Sequence, residues 1–399
     1  MFTKLSRFTA GAGIIAATLA TSFAALPTAG ATAARSWVVS AGAKSVPTCA
    51  TASAAMPFPS IPAALACTHN GDTVNVAAGT YPGPINITTN ITLNGAGASK
   101  TTITNPTVTA RIPEELTIAD GATVRINALT INGLGSLNGA APQRLNGGIL
   151  AGPGTLTIQH SVVTNTLNSG VYGAAISVND TNGTSNVTVT NSTINANNSG
   201  GAAGAIAIAN PTPATPSRLL VANTTIDTNG GIFAGGIFAT ATNLTLDSDT
   251  LSANIGAGPY ASTLYTANAP VTIVNSILAL GQSAYGNDCN ASNATIATAN
   301  NIIGGATNTD GCGFTNNVNG NHVGTPTNPI DPGLAPLADN GGTTRTRALL
   351  PTSPAINAGN QNACTTTPIN NHDQRGTTRN ATNRNTCDIG AYDTDGTIV

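Results

Sequence analysis

Asp247 and Asp249 are two positions apart, so on an extended strand both carboxylates leave the same face, about 7 Å from each other. Carboxylates at such distances serve glycosidases as acid, base or nucleophile, and serve calcium sites as ligands. Asp227 lies one repeat earlier and offers a third carboxylate, although at a different position of the repeat. These three are the candidate acid, base or calcium residues of a carbohydrate-active enzyme. Against that reading, Leu246-Asp247-Ser248-Asp249-Thr250 falls where the repeat places a bend, and a solvated turn is the simpler account. The two glutamates, Glu114 and Glu115, are adjacent and would point to opposite faces of a strand. Lys100, Arg111, Arg125, Arg144 and Arg218 share no repeat position, so no basic residue is placed to abstract a proton. His69, His160, His322 and His372 lack ligand spacing and there is no C-x-x-C, so no metal and no cofactor is expected. Gly95-Ala96-Gly97-Ala98-Ser99-Lys100 lacks the second Gly and the following helix of a phosphate loop and reads as a turn.

The elements that must carry these residues are short and repeated. Six segments follow the template apolar-x-apolar-x-x-x-x-apolar: Val124 to Ile131, Leu156 to Val163, Val187 to Ile194, Leu219 to Ile226, Leu244 to Leu251 and Val271 to Leu278. Successive copies are offset by 25 to 32 residues, a solenoid period. A second strand signal runs between them at Ile149, Ile176, Ile206 and Ile237. Alternating apolar residues in each copy predict short strands with one face buried, and no long helical periodicity follows residue 33. One coil cannot bury its apolar face alone, so stacking must close the core. Asn191, Asn223 and Asn275 hold one template position, shared by Ala128, His160 and Ser248 in other copies. A bend is predicted there, with a structural amide ladder preferred to a polar binding stripe. His160 is read as structural with it.

Composition narrows the partners. Charged residues make up 8% and the net charge is −2, with no basic run to neutralise phosphates, so nucleic acid is not expected. A long solvated helical bundle is excluded for want of Glu, Lys and Arg, and disorder by 40% hydrophobic residues at low net charge. Lys4 and Arg7, an apolar stretch from Phe8 to Leu26 and the small residues before Ala33 predict a signal peptide over 1–33. No later segment is expected to span a membrane. Cys49, Cys67, Cys289, Cys312, Cys364 and Cys387 then read as disulfides of an exported chain. Fifteen connectivities exist, and pairing of sequence neighbours is preferred because the three pairs lie far apart along the chain.

Two segments resemble known families. Phe58-Pro59-Ser60-Ile61-Pro62-Ala63-Ala64, then Gly71-Asp72-Thr73-Val74-Asn75-Val76-Ala77-Ala78-Gly79-Thr80-Tyr81 and Ile91 to Gly97, resemble the entry of right-handed parallel β-helix proteins of the pectate-lyase-like superfamily. Asp331-Pro332, Pro336-Leu337-Ala338-Asp339-Asn340-Gly341-Gly342, Ala348-Leu349-Leu350-Pro351, Ser353-Pro354-Ala355-Ile356-Asn357-Ala358-Gly359, Asp373-Gln374-Arg375-Gly376 and Cys387-Asp388-Ile389-Gly390-Ala391-Tyr392 resemble the choice-of-anchor Q domain of exported bacterial β-helix proteins. That family usually has Glu after the last aromatic, where Asp393 stands here. The resemblances imply a right-handed all-β parallel β-helix, but the short motifs around the catalytic residues of pectate lyases and polygalacturonases are missing. The charges at Asp373, Arg375, Arg379, Arg384 and Asp388 are read as an ion-paired cap over the end of the solenoid rather than a binding patch.

The expected organisation is a signal peptide (1–33), an N-terminal cap (34–70), a parallel β-helix (71–320) and an irregular, disulfide-tied C-terminal module (321–399). The expected role is that of a secreted or surface-associated, non-catalytic protein, monomeric and adhesin-like, with glycans or cell-envelope components as partners. The alternative is a polysaccharide lyase or glycoside hydrolase using Asp227, Asp247 and Asp249.

Overall fold

In the computed structural model, which describes residues 33–105, 114–133, 147–168, 173–210, 215–307, 312–379 and 386–394, each apolar alternation of the template becomes a pair of strands. One coil visits four sheets in turn. Ile149–Ala151 belongs to a first sheet of eight strands, Thr155–Gln159 to a second of ten, Val162–Thr164 to a third of ten, and Leu167–Asn168 to a fourth of five. Every strand pair in these sheets is parallel, so the chain is an all-β parallel solenoid. The registers match the template: Val124, Leu156, Val187, Leu219, Leu244 and Val271 are successive partners. Ile131, Val163, Ile194, Ile226, Leu251 and Leu278 do the same in the third sheet. All of these side chains are buried and join one continuous core, because each coil covers the apolar face of the one before.

The bends between sheets obey backbone sterics. Ala128, His160, Asn191, Asn223, Ser248, Asn275 and Asn300 all turn at positive φ between the second and third sheets. Asparagine tolerates this left-handed geometry better than most residues, which accounts for its recurrence there. The amide ladder, however, lies elsewhere. Asn197, Asn229 and Asn254 are buried inside the turn between the third and fourth sheets. Each takes up backbone and side-chain donors of the coil before it: Asn197 N–H and Nδ2 donate to Asn229 Oδ1, and Asn229 N–H and Nδ2 to Asn254 Oδ1. The predicted column at Asn191, Asn223 and Asn275 supplies the bend but points its side chains outward.

The first strand, Ser36–Val39, pairs with Asp72–Val76, and a short helix, Ile61–Leu65, buries Ile61 and Ala64 against the same core. The Ser60 side chain caps that helix by accepting from Ala63 N–H. Disulfides join Cys49 to Cys67, Cys289 to Cys312 and Cys364 to Cys387, the sequence-neighbour pairing. They fit an oxidising, extracellular environment. Among the described residues, no helix is long and apolar enough to cross a membrane. Residues 1–32 of the expected signal peptide lie outside the described residues.

The irregular C-terminal segment does not close the end of the spiral as the charge pattern suggested. It runs back along the flank, over the outer face of the third sheet and the bend column. Leu349, Ala355 and Ile389 pack on Ile277, Ala279 and Ile302. Asn223 Nδ2 donates to His372 O, Asn275 Nδ2 to Asn360 O and Asn300 Nδ2 to Ala358 O. The outward asparagines of the bends are thus a docking strip, and their amides satisfy backbone groups of an irregular segment that has no ladder of its own.

Candidate functional site

Asp227 ends the strand Thr225–Asp227, Asp247 ends Thr242–Asp247, and Asp249 follows the bend at Ser248. The bend is where the template puts it, but it is not solvated. Asp227, Asp247 and Asp249 are 2%, 7% and 0% exposed. Arg347 of the C-terminal segment reaches Asp227, whereas the hydrogen-bond partners of Asp249 all belong to the coils themselves. Asp227 pairs with Arg347 of that segment at 2.6 Å and also accepts from Ser252 and Thr228 hydroxyls. Asp249 accepts from Thr224 N–H at 2.9 Å and from Asp247 N–H at 3.0 Å. Its own N–H donates to Ser276 Oγ, and Ser276 N–H in turn donates to Asn301 Oδ1. Asp249 is therefore one rung of a column of Ser, Thr and Asn side chains that satisfies backbone N–H groups at the bends.

The electrostatics follow from this burial. Desolvation raises the Asp249 carboxyl well above its ordinary 3.8, the backbone donors offset only part of it, and the neighbouring Asp247 charge adds to the rise. Desolvation also pushes Asp247 up to about 6, against lowering by the Ser248 hydroxyl and the Arg379 charge. Carboxyls whose pKa values are raised by burial are useful to acid–base chemistry, but only where a substrate can reach them. Among the described residues, no group of three His, Cys, Asp or Glu side chains is arranged to hold a metal ion.

The charge cluster near the C-terminus is consumed internally. Asp373 pairs with Arg375 at 2.7 Å, and Asp388 accepts from Asn357 N–H and from Thr394. Arg379, wholly buried, donates to His372 O, Asp388 O, Gly390 O and Asn223 Oδ1. Arg384 lies outside the described residues. His160 Nδ1 sits 3.4 Å from Thr343 Oγ1 of the same segment, and burial lowers its pKa.

The open, chemically distinctive surface is one that sequence reasoning missed. On the outer face of the first sheet, Phe238, Tyr265 and Asn290 occupy one register position in successive coils. Alternation explains the orientation: Ile237, Leu264 and Cys289 enter the core, so their neighbours must face outward. Phe238 stacks on Tyr265 with ring centroids 5.4 Å apart, Phe233 stacks on Tyr260 at 4.7 Å, and Tyr260 meets Tyr265 edge-on at 5.3 Å. Phe233 and Phe238 in turn cover Ala202, Ala203 and Ala207 of the preceding coils. Beyond this tier an open cleft of about 860 Å³ is lined by Tyr260, Tyr265, Tyr285, Asn287, Asn290 and Asn293, among others. Tyr285 is 62% exposed. The signal was present in the sequence: of the few aromatics after residue 33, Phe233, Phe238, Tyr260, Tyr265 and Tyr285 fall within about fifty residues of one another. A second groove, of about 520 Å³, lies between the third sheet and the C-terminal segment and includes Thr130, Thr164, Asn195 and Arg345.

No protein-family profile matches the chain, and no curated protein does. Among solved structures the chain is similar to one described as the crystal structure of pectate lyase Pel9A, at 13% identity and a TM-score of 0.45. The match covers 91% of this chain and 97% of that one.

Proposed function

We propose that the chain is an exported, monomeric, glycan-binding parallel β-helix, right-handed and pectate-lyase-like in build, that holds carbohydrate without cleaving it. The observation that carries this reading is the cleft where Tyr260, Tyr265 and Tyr285 meet Asn287, Asn290 and Asn293. A sugar ring has an apolar C–H face that packs on an aromatic ring and an edge of hydroxyls that pairs with amides, which both donate and accept. The lack of turnover rests on the burial of Asp227, Asp247 and Asp249. Export is supported by the predicted signal peptide and by three disulfides. The segment from 321 on is proposed to be a choice-of-anchor Q module, which would associate the protein with the cell surface and make it adhesin-like. A glycan array read alongside fractionation of producing cells tests both parts. Absence of any glycan ligand removes the binding role, and wholly soluble export removes the adhesin role.

The rival reading, a polysaccharide lyase or glycoside hydrolase, draws support from acidic side chains carried by two adjacent coils and from the raised Asp247 carboxyl. Incubation with pectin and alginate, monitored for new unsaturated or reducing ends, discriminates. Cleavage abolished by Asp247→Asn in a folded variant would establish the rival.

A further inference from the structure

We infer that the aromatic cleft selects neutral glycans and rejects uronate polymers. The inference rests on the glycan-binding reading above and specifies its ligand. Among the described residues, no Asp, Glu, Lys or Arg lines the cleft. Its polar groups are amides and hydroxyls: Asn287, Asn290, Asn293, Ser292, Thr307 and Thr327. The scarcity of cations extends well beyond the cleft, since the sequence holds no Lys or Arg between Arg218 and Arg345.

A uronate ring whose carboxylate gives up water on contact with this cleft would find no cation among the described lining residues in return. A bridging divalent ion finds no ligand either, because no carboxylate of the described residues lines the cleft to share it. Asp288 lies beside the lining residue Asn287, but it is 4% exposed. Both of its oxygens are engaged, one by Ser262 Oγ and Gly281 N–H, the other by Gly305 N–H. It braces the coil and offers nothing to a ligand.

A neutral sugar meets no such penalty. Tyr265 and Asn290 are register partners in adjacent parallel strands, about 4.8 Å apart across the ladder. A glycan lying across the coils would place a ring face on Tyr265 and a hydroxyl edge on Asn290, with Tyr285 closing from the exposed side. The cleft volume of about 860 Å³ falls in the range of small-molecule sites, ~300–1,000 Å³.

Isothermal titration of the full chain against neutral polymers (xylan, galactomannan, soluble starch) and uronate polymers (polygalacturonate, alginate) tests this. The expected result is binding to at least one neutral polymer that is insensitive to salt and weakened tenfold or more by Tyr285→Ala. Tyr285 is largely exposed, so the variant should melt like the parent. Asn290→Ala provides a second, independent lesion. Uronate binding as strong as neutral binding, and lost in Tyr285→Ala, would overturn the neutral class while leaving the cleft as a glycan site. Neutral binding indifferent to both substitutions would overturn the cleft itself, and binding of neither set would overturn both.

Discussion

Arg379 of the C-terminal segment donates its guanidinium to the side-chain oxygen of Asn223, at a bend of the solenoid, at 2.8 Å. Arg379 has no exposed surface, and three backbone carbonyls take most of its remaining donors. The irregular segment is therefore part of the folded body rather than an appendage. Replacing Arg379 by Met should cost roughly 3–5 kcal/mol, because the carbonyls and Asn223 lose a buried charged donor and Asp393 loses the cation 4.0 Å from its carboxylate. Chemical denaturation measures this, and limited proteolysis should show early cuts confined to 325–394. A variant as stable and as resistant as the parent would mean that the segment is held by packing alone.

The buried Asp247 makes a pH prediction. Its carboxyl titrates near 6 in the folded chain against an ordinary 3.8. Between those values the folded state keeps a proton that the unfolded state has released, so stability is highest below about pH 4 for this group and falls as pH rises through 6. Asp249 shifts in the same direction. In Asp247→Asn the slope should flatten, with the stability difference between pH 4 and pH 7 changing by up to about 3 kcal/mol. Parallel unfolding profiles for parent and variant would show that Asp247 does not titrate in this window.

The inner and outer asparagines should differ sharply. Asn229→Ala removes an amide that serves Asn197 N–H, Asn197 Nδ2, Ile194 O and Asn254 Oδ1 at once, and should cost about 2–4 kcal/mol. Asn191→Ala loses chiefly the residue's tolerance of φ 50° and should cost about 1 kcal/mol. Equal losses in urea denaturation would contradict the placement of the ladder.

Removal of the Cys364–Cys387 bridge by paired serine substitution should destabilise the C-terminal segment by about 3 kcal/mol, the value for a loop of this size in the chain-entropy description. Hydrogen exchange is the suitable readout: protection should fall around Asn360 and Asp388 while the strands at Leu156 and Val187 keep theirs. Uniform loss across the coils would mean that the bridge supports the solenoid itself.

The coil was legible in the amino-acid order because burial recurs with the period of the winding. Leu156, Val187 and Leu219 had to be partners once stacking was the only way to cover their faces. The positive-φ bends at Asn191, Asn223 and Asn275 were equally readable, since that geometry is a local property. Disulfide pairing followed from chain proximity. What those bends do was not readable. Whether an outward amide meets water, its own column or a distant segment depends on where residues 325–394 return, and that path is set by long-range packing of Leu349 and Ile389 on the third sheet. Long-range packing also decided the fate of the carboxylates: Asp247 and Asp249, which local pattern placed in a solvated turn, are buried in the fold, and Asp227 is paired with Arg347 of the returning segment. It took the register between coils to line up Phe238, Tyr265 and Asn290 on one outer face, with Tyr265 and Asn290 in the wall of the cleft.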